Sequence, residues 1–163
     1  MKELLVQFSN YHLWANGLLL DTIIALPQEK QQAIVKSSFN SLYKTLLHMW
    51  DAESIWWQRL NQYELIIKQS ENFSGGMKDL SNAMPQQSTQ WKEWIANNNE
   101  EALKGNFTYT NSRKEHFEQP VYQMLLHLFN HGTYHRGQLV TMLRQLDVEQ
   151  IPGTDFIIWS RTK

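Results

Sequence analysis

The chain has 163 residues, 15 Lys and Arg against 16 Asp and Glu, six histidines and no cysteine. The length fits one domain, 1–163, able to bury its own core. With no cysteine there is no disulfide scaffold, thiolate metal site or cysteine nucleophile, so any metal site must use His, Asp or Glu, and a net charge of −1 gives no electrostatic case for nucleic acid or an anionic membrane.

The N-terminus opens Met1, Lys2, Glu3 and lacks the apolar run of a secretory signal. No apolar run approaches the ~20 residues needed to span a bilayer. The expected location is the cytoplasm. Residues 2–25 read as a first helix, with Leu4, Leu5, Phe8, Tyr11, His12, Ala15, Leu18, Leu19, Thr22 and Ile23 on its inward face. Pro27 ends that segment. A second helix starts near Ser38 or Ser41, either of which suits an N-cap, and runs to about residue 62. It carries Leu42, Leu46, His48, Met49, Ala52, Ile55, Trp56, Arg59 and Leu60. Residues 64–78 read as irregular, with Gly75 and Gly76 as breakers.

A third helix is expected over 80–101, with Pro85 near its start, Trp91, Trp94, Ile95 and Leu103 as anchors, and a weak end at Asn97, Asn98 and Asn99. Over 105–118 the period changes to the alternation of Phe107 and Tyr109 with polar neighbours, which reads as a short β-hairpin or an extended crossover. Pro120 suits the first turn of a last long helix over 119–146. Pro152 and Gly153 then break the chain, and Phe156, Ile157, Ile158 and Trp159 form a closing segment. Four long amphipathic segments predict an all-α fold, a four-helix bundle. The long connections at 64–78 and 104–119 argue against a simple up-down-up-down order.

The last long helix carries His127, His131 and His135 at four-residue intervals. Side chains four apart stand on one face, with Cβ atoms roughly 5–6 Å apart, so two imidazoles can reach one cation. Spacing alone leaves two readings open: hydrogen-bonded core histidines, or a metal pair. His48 lies on the second helix among Leu47, Met49 and Ala52, where an unpartnered imidazole is costly. Facing helices of a bundle build metal sites from inward side chains. His48 with His131 and His135 makes a three-histidine set suited to Zn²⁺, Ni²⁺ or Fe²⁺, with a position left for water or substrate. Gly132 removes bulk beside the pair. Three histidines over two turns span about 12 Å of rise, so His127 is left out. His12 reads as a packed, hydrogen-bonded residue and His116 as an exposed hairpin residue. Asp51 can orient a ligand or act as a base; a solvated helix face fits Asp51 and Glu53 as well.

The run Asn130, His131, Gly132, Thr133, Tyr134, His135, Arg136, Gly137, Gln138, Leu139 resembles the NHxxxHRGQ signature of the DinB/YfiT-like family of metal-binding four-helix bundles. Leu47, His48, Met49 and Trp50 through Trp57 and Arg59 resemble that family's first metal-histidine segment. Tyr11, Trp14, Ala15 and Asn16 resemble its first-helix motif, and Asp155, Phe156 and Trp159 its ending. The resemblance implies an up-down-down-up bundle, one divalent ion per chain on His48, His131 and His135, and a homodimer. It assigns Arg136 and Gln138 to helix packing or the dimer rather than to metal.

Some relatives are thiol S-transferases that use low-molecular-weight thiols such as bacillithiol, mycothiol or glutathione. The resemblance therefore implies a metal-dependent enzyme acting on a small molecule. Thiol transfer and hydrolysis both fit, because a cation lowers the pKa of a thiol or a water. Asp51 and Tyr134 are the only candidates for a base. The alternative is a non-catalytic metal-binding stress-response protein whose metal stabilises the bundle.

Overall fold

The computed structural model describes residues 1–162. The chain runs α1 (Lys2–Ile24), α2 (Gln28–Gln32), α3 (Leu42–Leu60), α4 (Gln69–Asn72), α5 (Met77–Asn97), α6 (Glu100–Lys104), β1 (Asn106–Thr110), β2 (His116–Pro120), α7 (Val121–Gln145) and α8 (Phe156–Ser160). The architecture is the expected all-α bundle, built from α1, α3, α5 and α7 with one small hairpin. Among the described residues no helix is long and apolar enough to cross a membrane.

Local chemistry sets the helix ends. Of the two candidate caps for α3, Ser41 is the one used, its Oγ accepting from the Lys44 N–H at 3.1 Å. Gln62, at φ 55°, turns the chain left-handed just beyond α3, so that helix stops at Leu60 rather than 62. α5 begins at Met77, three residues earlier than expected, because the Asp79 carboxylate accepts from the Gly76 N–H at 2.9 Å. Pro85 therefore lies inside α5 rather than near its start. The asparagine run splits the expected third helix in two. Asn98 ends α5, and Asn99 caps α6 by accepting from the Ala102 N–H at 2.9 Å. Residues 64–78 are not wholly irregular, since they hold the one-turn α4.

The 105–118 stretch is the hairpin, antiparallel with Thr108 opposite Glu118. Asn111 Oδ1 accepts from the Arg113 and Glu115 N–H groups, which closes the turn. Pro120 ends β2 and sits at the N-cap of α7 rather than within its first turn.

Two apolar clusters show how the helices run. One joins Leu19, Leu20 and Ile23 of α1 to Leu42 and Leu46 of α3, Leu80 and Met84 of α5, and Leu139 to Leu143 of α7. The other joins Leu5 of α1 to Trp91 and Ile95 of α5 and Val121 to Phe129 of α7, with Trp57 and Leu60 of α3 against it. The end of α1 thus meets the start of α3, the start of α5 and the end of α7. α1 and α7 run one way, and α3 and α5 the other. Burying each such side chain contributes about 1.5–3 kcal/mol. The inward face of α1 differs from expectation in detail: Leu4 is exposed and Leu20 is buried. α8 closes the sequence, with Trp159 packed on Tyr11 and Ala15.

Between the apolar clusters lies a buried polar layer. Glu53 of α3 accepts from His12 Nε2 at 2.9 Å and from the Ser88 hydroxyl of α5 at 2.8 Å. Arg136 of α7 donates to Asn16 Oδ1 at 3.0 Å and to Thr133 Oγ1 at 2.8 Å. Its Nη1 lies 3.4 Å from His12 Nδ1. An anion and a cation, each at most 3% exposed, are thus bridged by an imidazole.

Gly132 makes that bridge possible. A Cβ there would meet His12 Cε1 at 2.4 Å and Nδ1 at 2.8 Å. The space Gly132 leaves is therefore on the α1 side, against His12. Gly132→Ala is expected to lower stability by about 1–3 kcal/mol through overpacking, since His12 is pinned by Glu53 and cannot step aside. Urea denaturation checks this, and a variant as stable as the parent would refute it.

Candidate metal centre

α3 and α7 lie side by side and antiparallel, which brings His48 opposite the His131, His135 pair. His131 Nε2 stands 3.0 Å from His48 Nε2 and 3.0 Å from His135 Nε2. Candidate ligand atoms of all three lie within 4.8 Å of one another, so the group can hold a metal ion. Three Nε2 atoms facing one point pose an electrostatic problem. A single proton shared by His131 satisfies one neighbour and leaves the other lone pair opposed. A cation satisfies all three. Zinc–nitrogen bonds of about 2.0–2.1 Å in a tetrahedral site place nitrogens roughly 3.3 Å apart, close to the observed edges.

The surroundings favour the ligand form of the rings. Gln138 Oε1 lies 2.7 Å from His135 Nδ1. A carbonyl oxygen only accepts, so the proton sits on Nδ1 and the Nε2 lone pair is free. The Gln138 amide in turn donates to Tyr134 OH and to Ser38 Oγ, both at 3.1 Å. Phe39 stacks on His48, with ring centroids 4.0 Å apart, and meets His135 edge-on. Phe39 escaped the sequence reading, which named Gln138 but gave it to helix packing or the dimer rather than to orienting His135. Gln138 at i+3 from His135 was a readable signal for an orienting partner; Phe39, in the irregular stretch before α3, carried none.

Burial keeps the three rings neutral. Desolvation, then the neighbouring His135, pushes His48 from 6.5 down to about 4. Desolvation, then His135 and His48, pushes His131 down to about 3. Burial lowers His135 as well, partly offset by its bond to Gln138. In the unfolded chain these imidazoles protonate near 6.5, and in the fold they resist. Their contribution to the stability of the metal-free protein is therefore full above about pH 6.5 and is lost as pH falls toward 4 and then 3. Urea midpoints of metal-free protein should fall over that window, and fall less in His131→Asn. An equal fall in the variant would refute the assignment.

The remaining candidates separate clearly. His127 is exposed, packs edge-on against Trp56, and lies outside the converging nitrogens. His12 is buried in the polar layer, and His116 is exposed on β2 beside Thr110. Asp51 and Glu53 are buried, so the solvated-face reading fails for both: α4 covers one and α5 the other. Asp51 accepts from the Ser70 N–H at 2.9 Å and the Ser70 hydroxyl at 2.6 Å. Tyr134 is exposed, its ring edge-on to His135. Arg136 belongs to the polar layer. A cleft of about 750 Å³ opens on His48 and His131 and also reaches Asp51, Trp56 and Arg59.

Such a molecule belongs to the class of all-α bundles with three imidazoles converging between antiparallel helices. The DinB family model matches residues 1–160, and the chain belongs to the DinB family. It is similar to Protein DinB of Bacillus subtilis (strain 168), at 28% identity over 177 aligned positions that cover 96% of this chain and 93% of that protein.

Proposed function

We propose that His48, His131 and His135 ligate one divalent ion, Zn²⁺, Ni²⁺ or Fe²⁺, and that the protein is a metal-dependent enzyme of the thiol S-transferase or hydrolase type acting on a small molecule. The observation that carries this reading is the convergence of three Nε2 atoms, two of them on histidines that line an open cleft, His48 and His131. A bound cation would supply Lewis acidity, lowering the pKa of a thiol or water at neutral pH. The chain's own residues do the rest. Gln138 holds His135 in the right tautomer, and Phe39 shields His48 from water on one face. The cleft, within the ~300–1,000 Å³ usual for small-molecule sites, orients the substrate. Asp51 on the cleft wall and Tyr134 beside His135 are the groups available to move a proton. The thiol, where one is used, is a separate low-molecular-weight cosubstrate, since the chain has no cysteine.

The test is turnover by zinc-, nickel- or iron-loaded protein on a panel of thiols with an electrophile and on small esters and amides. Activity lost in His48→Ala, with helicity retained, supports an enzyme. Saturating metal without turnover on any member favours the non-catalytic reading, in which the metal serves the bundle. The same reading takes the protein as a cytoplasmic homodimer, and a monomer at micromolar concentration in sedimentation would count against the dimer.

A further inference from the structure

Resting on that reading of the metal centre, we propose that the cleft accepts an elongated anionic molecule, apolar along its length, with its carboxylate or phosphate end held by Arg59 and its other end at the histidines.

The floor of the cleft is one stripe of α3. His48, Ala52, Ile55, Trp56 and Arg59 all line it, at the three- and four-residue steps that share a helix face. The stripe is imidazole at one end, apolar in the middle and cationic at the other. From His48 to Arg59 is roughly 16 Å along the helix axis, the length of an extended small molecule rather than of a compact one. The field is positive although the chain carries −1. Lys44, Arg59 and Lys68 line the cleft against one carboxylate, Asp51, which two hydrogen bonds from Ser70 hold in place.

Arg59 is the cation fixed in place. Its guanidinium lies 4.7 Å from the Trp56 ring centroid and 5.3 Å from that of Tyr109. Its Nε is buried with no hydrogen-bond partner. Among the described residues, no ion pair involves Arg59, Lys44 or Lys68. A guanidinium packed against two aromatic rings and held in no ion pair, although Glu64 and Glu118 line the next cavity, is preorganised to take an anion bidentately. Ile55 and Trp56 offer the adjoining apolar wall.

Octanoate and its neutral counterpart octanamide serve as probes, titrated against metal-free and zinc-loaded protein by calorimetry. Octanoate should bind both forms about tenfold more tightly than octanamide, and the gap should shrink with added salt. Arg59→Met should reduce octanoate to the level of octanamide and leave octanamide unchanged. Should Arg59→Met not fold, Arg59→Gln and the salt dependence of the parent read the same interaction. Equal binding of acid and amide would overturn the proposal. So would octanoate binding that requires zinc and ignores Arg59, which would make the anion a metal ligand and leave the three-histidine reading standing. Arg59-dependent binding in a protein that takes up no metal would uphold the anion site and sink the metal centre instead.

Discussion

Replacing His131 with alanine is expected to abolish stoichiometric uptake of a divalent ion. His131 is the shared vertex of the cluster, its Nε2 3.0 Å from both other imidazoles. Without it, two nitrogens on different helices remain, and two-histidine sites hold metal weakly. Even changes to residues that only orient ligands cost 10–100-fold in metal affinity, so loss of the vertex should weaken it by at least about 100-fold, or ~2.7 kcal/mol. Zinc at about 100 times the parent's dissociation constant should stabilise the parent by about 2.7 kcal/mol and the variant by no more than about 0.4 kcal/mol. The metal-free variant should be no less stable than the metal-free parent, because a desolvated ring with opposed lone pairs has been removed. Elemental analysis and thermal melts with and without zinc measure both effects. One ion per chain still held by His131→Ala would sink the ligand assignment.

The largest expected loss of stability comes from a residue that the family resemblance places beside the metal ligands. Arg136→Met should cost about 3–5 kcal/mol, the usual cost of breaking a buried charge network from one side. Arg136 is 2% exposed. Its removal leaves buried Asn16 Oδ1 without its guanidinium donor and takes away a positive charge that acts on Glu53. Arg136→Lys should recover little, because an ammonium cannot reproduce the two-pronged contact with Asn16 and Thr133. The double variant Arg136→Met, Glu53→Gln should be more stable than Arg136→Met alone, since it no longer buries an unmatched carboxylate. Urea denaturation decides, and a loss under 1 kcal/mol would show that the layer is wetter than its burial indicates.

The two expectations concern one helix, on which His131 with His135 and, next to His135 in sequence, Arg136 serve different structures. On a helix, adjacent residues point about 100° apart. His131 and His135 face His48 on α3, His131 also reaching the cleft, while Gly132 and Arg136 face α1 and the polar layer. The tight NHxxxHRGQ spacing therefore encodes two sites, and the sequence reading separated only one. It placed the space left by Gly132 beside the histidine pair because it had no view of α1. It found His48 because an imidazole among Leu47, Met49 and Ala52 needs a partner. It left a solvated face open for Asp51 and Glu53, beside a ligand-orienting or base role for Asp51, because nothing local shows that α4 and α5 will cover them.

What the sequence determined by itself was periodic or short-range. Helical spacing of apolar residues fixed four long helices, the alternation at Phe107 and Tyr109 marked the hairpin, and the four-residue step of His131 and His135 marked one half of the centre. These rest on backbone geometry, which repeats the same way in any fold. The tertiary structure alone decided which remote groups meet. His12 reaches Glu53 across 41 positions, Arg136 reaches Asn16 across 120, and His48 reaches His131 across 83. Those meetings depend on which helix packs beside which and at what height. Packing of whole apolar faces sets that, and no local pattern along the chain records it.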